Sequence, residues 1–408
     1  MLHSLLITYL GRPRVLLTSM DDDSVLPIPN QQLQQELFVA MRPQTAAETR
    51  AAAVTALLDG IRKDEMAPYY RFLLDDAAVA AVVPRDEALL ADLAQKNTAE
   101  LARLDAEQKQ AEESEGDLEL HTVLKKRAQY LARIGDKDAA LRAHDAAIER
   151  ATGVGSKIDL TLTKTRLGLF FGDTDLTQTS ITAAAALIEE GGDWDRRNRL
   201  TAYHAVYYAS VRHFSEASQL SRAALSTFTA TELIGYVDFV RLTVLMGLVS
   251  LSRPDQKKLS EAPEVLQTIS DMPEVATLAS ALYNSEYAAF FRALADVEQA
   301  YLLPSRILSP HARFYVREMR VIAYSQLLES YRSVAIDKMA AAFGVTPAYI
   351  DADLSRFISA GRLPAVIDKA HGTIENRRPD TKNAQYSRII REGDVLLNAL
   401  QKLSRTAL

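Results

Sequence analysis

Residues 325–383 read SQLLESYRSVAIDKMAAAFGVTPAYIDADLSRFISAGRLPAVIDKAHGTIENRRPDTKN, and they decide the fold of the C-terminal part of the chain. The first apolar positions recur at helical spacing and share one face: Ile336, Met339, Ala340 and Phe343. Gly344 then offers the left-handed conformation that ends a helix. Thr346 and Pro347 supply a hydroxyl cap and a first-turn proline, so a second helix begins here.

The second helix carries its own apolar face, made of Ile350, Leu354, Phe357 and Ile358. Gly361 ends this helix. Residues 365–367 and 373–375 then have the composition of two short strands, with a turn over residues 369–372. Two short amphipathic helices followed by a hairpin form a winged helix, which is the fold that this stretch predicts.

The composition of the whole chain is that of a helix-rich globular protein without cysteine chemistry. Of its 408 residues, 48% are apolar and 25% are charged, which are ordinary values for a globular protein. Cysteine is absent, which excludes disulfides, thiolate zinc sites and a cysteine nucleophile and fits a reducing compartment. The formal net charge of −6 argues against a broad phosphate-binding surface.

Residues 1–30 predict a flexible N-terminal extension. The apolar residues of this segment are interrupted by Gly11, Arg12 and Pro13, no clear cleavage site follows, and Met20 is an alternative start. No stretch of the chain approaches the roughly 20 apolar residues that span a bilayer, so no membrane partner is expected.

The middle of the chain is helical and repetitive. Residues 31–116 predict short helices and one long helix over 85–115. From residue 117 a repeat of about 35–40 residues begins, and in its first unit two helices over 118–134 and 137–151 flank a turn. Each hairpin has an apolar face that only stacking can bury, so residues 117–309 predict a helical-repeat solenoid.

The later repeat units are more degenerate. Helices are predicted in pairs, 158–171 with 177–190, 196–211 with 215–228 and 232–251 with 262–270, followed by a single element over 275–301. A linking helix over about 310–333 leads into a winged-helix module of residues 310–380. The fold class is therefore mostly α, an α-solenoid of tetratricopeptide-like hairpins followed by a winged helix with a small β-wing and a C-terminal helix.

The C-terminal segment, residues 381–408, predicts one amphipathic helix over 384–405. Its apolar residues form a continuous stripe at helical spacing. We call this set the C-terminal stripe, and it comprises Tyr386, Ile389, Ile390, Leu396, Leu397, Leu400 and Leu403. The stripe predicts one of two contacts: either it packs against helices of partner proteins, or its helix folds back on its own domain.

The sequence predicts no catalytic, cofactor-binding or metal-binding residues. Its seven histidines form neither His-x-His nor His-Glu-x-x-His, the common metal-binding spacings on a helix. It has no glycine-rich phosphate loop and no Gly-x-Ser-x-Gly nucleophile elbow. Its acidic pairs lie on predicted helix surfaces, where solvated carboxylates are the rule.

The most unusual local string is EEGGDWDRRNR at residues 189–199. In a structural interpretation the glycines end one helix, Asp193 or Asp195 caps the next, and Trp194, the only tryptophan, anchors the turn. In a functional interpretation a charged aromatic ridge contacts a partner protein. The two roles are compatible. We call this set the tryptophan ridge, and it comprises Asp193, Trp194, Asp195, Arg196 and Arg197.

The winged helix argues against specific nucleic-acid binding. Its second helix is the element that would enter a DNA groove, and Asp351 and Asp353 lie in the first half of that helix. A base-reading helix needs Arg, Lys, Asn or Gln at such positions. No specific nucleic-acid partner is therefore expected.

Solenoid hairpins that lead into a C-terminal winged helix resemble the PCI-domain proteins. This is the shared scaffold of the proteasome lid, the signalosome and an initiation-factor complex. Several strings narrow the resemblance to the family of the lid's non-ATPase subunit 7, also called non-ATPase regulatory subunit 6. They are MAPYY at 66–70, RIGDK at 133–137, residues 189–199, YVREMR at 315–320, AYSQLLESYR at 323–332, AFGV at 342–345, LSRFI at 354–358, AGRL at 360–363 and QKLSR at 401–405.

The resemblance covers about residues 31–405 and implies a non-catalytic scaffold of the 26S proteasome lid. It implies that winged helices pair edge to edge, here through a wing that contains Val366, Ile367 and Ile374. It also implies a bundle of C-terminal helices, contacts with base ATPases or the core, and a location in cytoplasm and nucleus. Two alternatives stay open: a PCI scaffold of the signalosome, and a helical-repeat adaptor that binds nucleic acid.

Overall fold

The structure, a computed structural model, describes residues 25–113, 117–377 and 381–407. Its N-terminal part packs around a core that includes Leu57, Ile61, Tyr69 and Tyr70, all fully buried. Phe170 from the solenoid belongs to the same cluster, so the two parts share a core. The helices of this part are α1 (Gln31–Met41), α2 (Ala47–Lys63), α3 (Ala67–Asp75), α4 (Ala77–Ala80) and α5 (Glu87–Glu113).

The last residues of the predicted N-terminal extension are packed against the protein. Residues 1–24 lie outside the described part of the chain. Pro29 is buried, however, and the Asn30 side chain caps α1 by accepting a hydrogen bond of 3.1 Å from the Gln32 backbone N–H. Residues 28–30, the last part of the predicted extension, therefore pack against the body of the protein.

The solenoid confirms the predicted helical hairpins, whose paired helices pack side by side. The first turn needs glycine, because Gly135 has a φ of +77° and an added Cβ would lie 2.7 Å from the Cβ of Tyr69. The helices are α6 (Asp117–Ile134), α7 (Lys137–Arg150), α8 (Val154–Phe171), α9 (Thr174–Gly191), α10 (Trp194–Ser210), α11 (Phe214–Leu225), α12 (Tyr236–Ser250), α13 (Arg253–Ser260), α14 (Pro263–Thr268), α15 (Pro273–Asn284) and α16 (Tyr287–Val297).

The end of the solenoid differs from the prediction in two places. The single element predicted over 275–301 is a hairpin, because Ser285 takes a left-handed conformation with a φ of 63° and separates α15 from α16. The second difference is α13, which fills a segment where no helix was predicted. Leu259 of α13 is buried, so this short helix closes over α12.

A π-helical segment (Glu298–Leu302) and a short 3-10 helix (Ser309–His311) connect the solenoid to the winged helix. It consists of the linking helix α17 (Ala312–Ser330), then β1 (Ser333–Ala335), α18 (Ile336–Phe343), α19 (Pro347–Ser359), β2 (Ala365–Asp368) and β3 (Thr373–Asn376). The predicted hairpin of β2 and β3 is confirmed. A third strand, β1, was not predicted, and the antiparallel sheet has the order β1-β3-β2.

A buried arginine ties the N-terminal segment to the solenoid. Arg166 on α8 is 2% exposed, and its guanidinium donates to the Ile28 carbonyl at 2.7 Å, to the Tyr203 hydroxyl at 2.9 Å and to Thr163 Oγ1 at 2.8 Å. The Tyr203 hydroxyl in turn donates to Glu232 at 2.8 Å. Buried charges are retained when they are paired and hydrogen-bonded, as here.

The chain ends in the long helix α20 (Thr381–Ala407), which extends about 40 Å. Every residue of α20 whose side chain the structure describes is exposed. None of the described helices is both long enough and apolar enough to cross a membrane.

Candidate subunit interfaces

An aromatic cluster makes the winged helix continuous with the end of the solenoid. Phe343 at the end of α18 is 1% exposed, and its ring centroid lies 4.7 Å from that of Tyr287, 5.0 Å from that of Phe291 and 4.9 Å from that of Tyr324. These partners come from α16 and α17. Aromatic pairs at such distances stabilise packing beyond their buried area. The winged helix is therefore held in a fixed orientation on the solenoid.

A buried carboxylate adds a polar contact to this joint. Asp353 on α19 is 4% exposed and accepts hydrogen bonds from Arg320 at 3.1 Å and from the Tyr324 hydroxyl at 3.0 Å. Burial, together with the negative charge of Asp353, raises the pKa of Tyr324 above its usual range, so the hydroxyl stays protonated and donates. Asp353, one of the two acidic residues that argue against DNA binding, is thus part of the protein interior.

β2 is an edge strand of the wing. The three wing residues predicted at a partner interface, Val366, Ile367 and Ile374, differ in their position in the sheet. Ile374 lies on the central strand and is fully buried, which corrects its assignment to a partner interface. Ile367 lies opposite Ile374 and packs partly on the core. Side chains alternate along a strand, so Val366 points to the opposite face of the sheet from Ile367.

The backbone N–H and carbonyl of Ile367 point away from β3, toward the open side of the edge strand. The Arg377 N–H donates to the Pro364 carbonyl at 2.8 Å, and hydrogen-bonded pairs alternate along an antiparallel ladder. Val366 and Asp368 consequently form the bonded pairs with β3, and the N–H and carbonyl of Ile367 face outward. By the same alternation Ser333 and Ala335 face outward on the opposite edge, β1. Sequence analysis missed this second edge, since three residues are too few for a periodic signal.

The C-terminal stripe lies on the surface of α20. All seven residues of the stripe are between 56% and 65% exposed: Tyr386, Ile389, Ile390, Leu396, Leu397, Leu400 and Leu403. Val395, which was not predicted, is 69% exposed beside them. Charged residues border the stripe, and Arg388 and Glu392 form an ion pair of 2.7 Å one turn apart. A contiguous apolar surface with a polar border is typical of a protein–protein contact.

The tryptophan ridge begins α10 and leaves its aromatic ring outside. Asp193 caps the helix by accepting from the Arg196 N–H at 2.9 Å, and the Arg196 guanidinium is held by Asp159 at 2.7 Å. Asp195 pairs with Arg199 at 2.7 Å. Trp194 is 65% exposed, so it does not anchor the turn as predicted. The turn is complete without the indole, whose surface is open to solvent.

For the titratable groups of the described residues, two properties matter: the spacing that a metal ion needs and their burial. No group of three or more His, Asp or Glu residues among them could hold a metal ion. The strongest histidine shift has a packing cause: burial lowers the pKa of His144 to about 4, and its Nδ1 lies 2.7 Å from the Ala140 carbonyl. His144 lies on α7 within the solenoid and is fully buried.

Three family models match the chain. The model described as 26S proteasome subunit RPN7 matches residues 86–259, which run from the start of α5 to the end of α13. The PCI domain matches residues 294–378, from within α16 to the end of the wing. The model of the 26S proteasome regulatory subunit RPN7/PSMD6 C-terminal helix matches residues 385–406, which contain the C-terminal stripe.

Full-length relatives agree with these matches. The 26S proteasome regulatory subunit rpn7 of Schizosaccharomyces pombe is 40% identical over 380 residues, which is 92% of this chain and 96% of the relative. The 26S proteasome non-ATPase regulatory subunit 6 homolog of Arabidopsis thaliana is 40% identical over 92% of this chain and 96% of its own length. The 26S proteasome regulatory subunit RPN7 of Saccharomyces cerevisiae is 37% identical over 93% and 94%.

Proposed function

The chain belongs to the RPN7/PSMD6 family of 26S proteasome regulatory subunits, and we propose that it is a structural subunit of the proteasome lid. In this role it scaffolds lid assembly and supports ubiquitin-dependent protein degradation, while other subunits carry out the chemistry. The exposed C-terminal stripe carries the proposal, because a chain that acted alone would bury so much apolar surface. The relatives are proteasome subunits, which favours this assembly over the signalosome.

The C-terminal stripe is the first proposed contact, and its partners are helices of other lid subunits. Fully burying one Leu or Ile side chain contributes about 1.5–3 kcal/mol, so several stripe residues together supply a strong drive for association. The charged border of α20 keeps the helix soluble before assembly and limits the ways in which helices can pair. Residues at i, i+3 and i+4 lie on one face of α20, and packing in a helix bundle would bury that face.

The β2 edge is the second proposed contact. The outward N–H and carbonyl of Ile367 supply one donor and one acceptor to a neighbouring winged helix, and Val366 supplies apolar surface beside them. The rigid joint through Phe343 supports this role, because a fixed wing presents its edge in one direction. The scaffold thereby sets the angle between neighbouring subunits.

The tryptophan ridge is a third proposed contact. Trp194 and Arg197 lie one helical turn apart on α10, and both are exposed. Tryptophan and arginine are the residue types most often found at the centre of binding surfaces. A neighbouring subunit of the lid, the base ATPases or the core is the proposed partner of this ridge.

The proposed location is the cytoplasm and nucleus, as expected for a proteasome subunit without cysteine. Fluorescence microscopy of the tagged chain, expressed at its own level, tests this location. Signal confined to another compartment would contradict it.

Affinity purification of the tagged chain from its own cells tests the proposed function. We expect other subunits of the proteasome regulatory particle to be recovered in equal amounts with the chain. Recovery of signalosome subunits instead, or of nucleic acid without proteasome subunits, would overturn the proposal.

A further inference from the structure

A groove lies between the short helices α13 and α14 on one side and α15 on the other, and its volume is about 200 Å³. Residues of α15 border it at helical spacing, so one face of that helix lines the groove along its length: Val275, Ala276, Ala279, Ser280, Tyr283 and Asn284. Protein interiors leave few spaces larger than a water molecule. A groove of this size is therefore a candidate binding site.

The sequence leaves this space because it divides one wall of the groove and thins the other. Proline cannot continue a helix that precedes it, and Pro254 and Pro263 lie in the first turns of α13 and α14. The wall opposite α15 therefore consists of two short helices instead of one long helix. On α15, Ala276 and Ala279 contribute only methyl groups, so their side chains do not fill the gap.

The floor of the groove is apolar. Val244 of α12, Val265 of α14 and Val275 of α15 line it together with Met272, and all of them are buried. A cavity of about 150 Å³ with aliphatic and aromatic walls takes up the six-carbon ring of benzene, so by the same ratio this groove accommodates about eight carbons. From Val275 to Asn284 it extends about 14 Å along α15, so its shape suits a linear chain better than a ring.

One end of the groove is positively charged. The Lys257 Nζ atom lies 5.9 Å from the ring centroid of Tyr283, and the Cζ atom of Arg253 lies 5.1 Å from the same centroid. Lys257, Tyr283 and Asn284 line the groove. The Arg253 guanidinium also donates to the Tyr283 carbonyl at 2.6 Å, which holds it at this end. Two cations are thus gathered on one aromatic ring.

The acidic residues nearby do not cancel this charge. Glu261, which also lines the groove, lies 3.7 Å from the Lys257 Nζ atom, and both side chains are more than half exposed, so their pairing is weak. Asp255 is paired at 3.1 Å with Lys258. The two cations at the tyrosine ring therefore outnumber the one carboxylate of Glu261, and this end of the groove favours an anionic group.

We propose that the groove binds a medium-chain aliphatic carboxylate of about eight carbons. Its chain lies on the floor beside Val265 and Val275, and its carboxylate pairs with Lys257. Such a molecule buries its apolar carbons and keeps its charge at the open end, where water remains. None of the lining residues belongs to the C-terminal stripe, the β2 edge or the tryptophan ridge, so the proposal is independent of the proposed function.

Calorimetric titration of the purified full chain with hexanoate, octanoate and decanoate tests the proposal. Each CH₂ group that enters the floor should raise the affinity about fourfold, so octanoate should bind about 15-fold more tightly than hexanoate. Decanoate should gain little more, because the groove is then full. The absence of saturable octanoate binding would overturn the proposal. An affinity that rises by the same factor at every step would overturn it too, since exposed apolar surface such as the C-terminal stripe binds in that way.

The charge of the head group is tested with octylamine, which has the same chain and a positive head. It should bind about tenfold more weakly than octanoate, and equal or tighter binding would count against the proposal. Lys257→Gln should weaken octanoate binding about fivefold. The matched control is Lys258→Gln, which removes the same charge from a neighbouring side chain that is 74% exposed and lies outside the groove. Equal weakening in the two variants would contradict the proposal.

The place of binding is tested by filling the floor. Ala279→Leu adds side-chain volume where the chain lies and should abolish octanoate binding, while thermal unfolding checks that the variant is folded. Hydrogen exchange on the unmodified chain gives an answer that needs no variant: octanoate should increase protection in α13, α14 and α15 and leave α20 unchanged. A folded Ala279→Leu chain that still binds octanoate, or protection that rises only in α20, would show that the groove is not the site.

Discussion

The Oδ2 atom of Asp353 accepts a hydrogen bond of 3.0 Å from the hydroxyl of Tyr324, and this bond fixes the second helix of the winged helix to the linking helix. Arg320 completes the contact at 3.1 Å from the same oxygen. The orientation of the wing on the solenoid therefore depends on a buried charge pair as well as on the aromatic cluster around Phe343. The proposed contact at the β2 edge is therefore positioned by side chains of other elements, α17 and α19.

The first prediction concerns this pair. Asp353→Ala should lower the free energy of unfolding by about 3–5 kcal/mol, because it leaves Arg320 and Tyr324 without their buried partner. Asp351→Ala is the control, since Asp351 pairs at 3.2 Å with Lys369, which is 74% exposed, and such exposed pairs contribute about 1 kcal/mol or less. Urea denaturation of both variants measures the difference. Equal destabilisation would contradict the account.

A second prediction concerns the aromatic joint. Phe343→Ala should cost about 3–5 kcal/mol, since it opens a cavity among three rings. Phe72→Ala provides the comparison, because Phe72 is 58% exposed and its truncation should cost much less. Hydrogen exchange should show that the first variant loses protection in α18 and α16 before the N-terminal helices. Unchanged protection in those helices would mean that the joint does not hold the wing.

Sequence analysis predicted the helices well because periodicity and glycine placement are local signals. The winged helix could be predicted since Gly344 and the Thr346-Pro347 pair mark both helix ends. β1 was missed because its three residues carry no pattern and become a strand only by pairing with residues 373–375. The burial of Ile374 has the same cause: a central strand is defined by its second neighbour, which lies 40 residues earlier in the chain.

Interactions between distant residues had no signal in the sequence. The apolar periodicity of α8 allows Arg166 either a core or a surface position. Its hydrogen-bond partner Ile28 lies 138 residues away in the sequence. The C-terminal stripe, by contrast, lies on one helix, and its spacing alone predicted it. Its exposure required the structure, because a stripe predicts an apolar contact without saying which molecule supplies it.

The third prediction concerns the buried arginine. Arg166→Met keeps most of the side-chain volume but removes the donors to Ile28, Tyr203 and Thr163. Removing one member of a buried polar network costs about 3–5 kcal/mol. We expect hydrogen exchange to show lost protection over residues 26–35, while Arg142→Met leaves these residues as protected as before. Retained protection in the Arg166 variant would contradict the role given to this side chain.

The fourth prediction is a pH dependence of stability. Burial lowers the pKa of His144 to about 4 in the folded chain, whereas an unfolded histidine titrates near 6.5. Above pH 6.5 both states are neutral at this residue, and below it the unfolded state takes up the proton first. Folding stability should therefore fall between pH 6.5 and 4, with a loss of about 2 kcal/mol already at pH 5.

Urea denaturation at pH 7 and pH 5 measures this loss. In a His144→Gln variant the difference between the two pH values should shrink by about 2 kcal/mol, whatever its stability at pH 7. His371→Gln is the control, because the contact with Asp368 raises the pKa of His371, so losing this side chain cannot reduce the fall in stability at low pH. If His144→Gln shows the same fall in stability as the unmodified chain, another group is responsible.

The fifth prediction tests the β2 edge. Ile367→Pro removes the outward N–H without removing a ladder bond to β3, whereas Ile367→Ala removes only side-chain packing. We expect the proline variant to join the lid poorly and the alanine variant to join it normally, as measured by sedimentation of the assembled particle. Equal incorporation of the two variants would mean that the edge does not pair with a neighbour.

The central claim is that the C-terminal stripe joins this chain to the lid. Native mass spectrometry of particles from cells that express either the full chain or residues 1–383 tests it most directly, with thermal unfolding of the purified chains as a check on folding. The account predicts that the shortened chain unfolds at the same temperature as the full chain and is absent from the complete regulatory particle. A shortened chain found in complete particles at the same level as the full chain would contradict it.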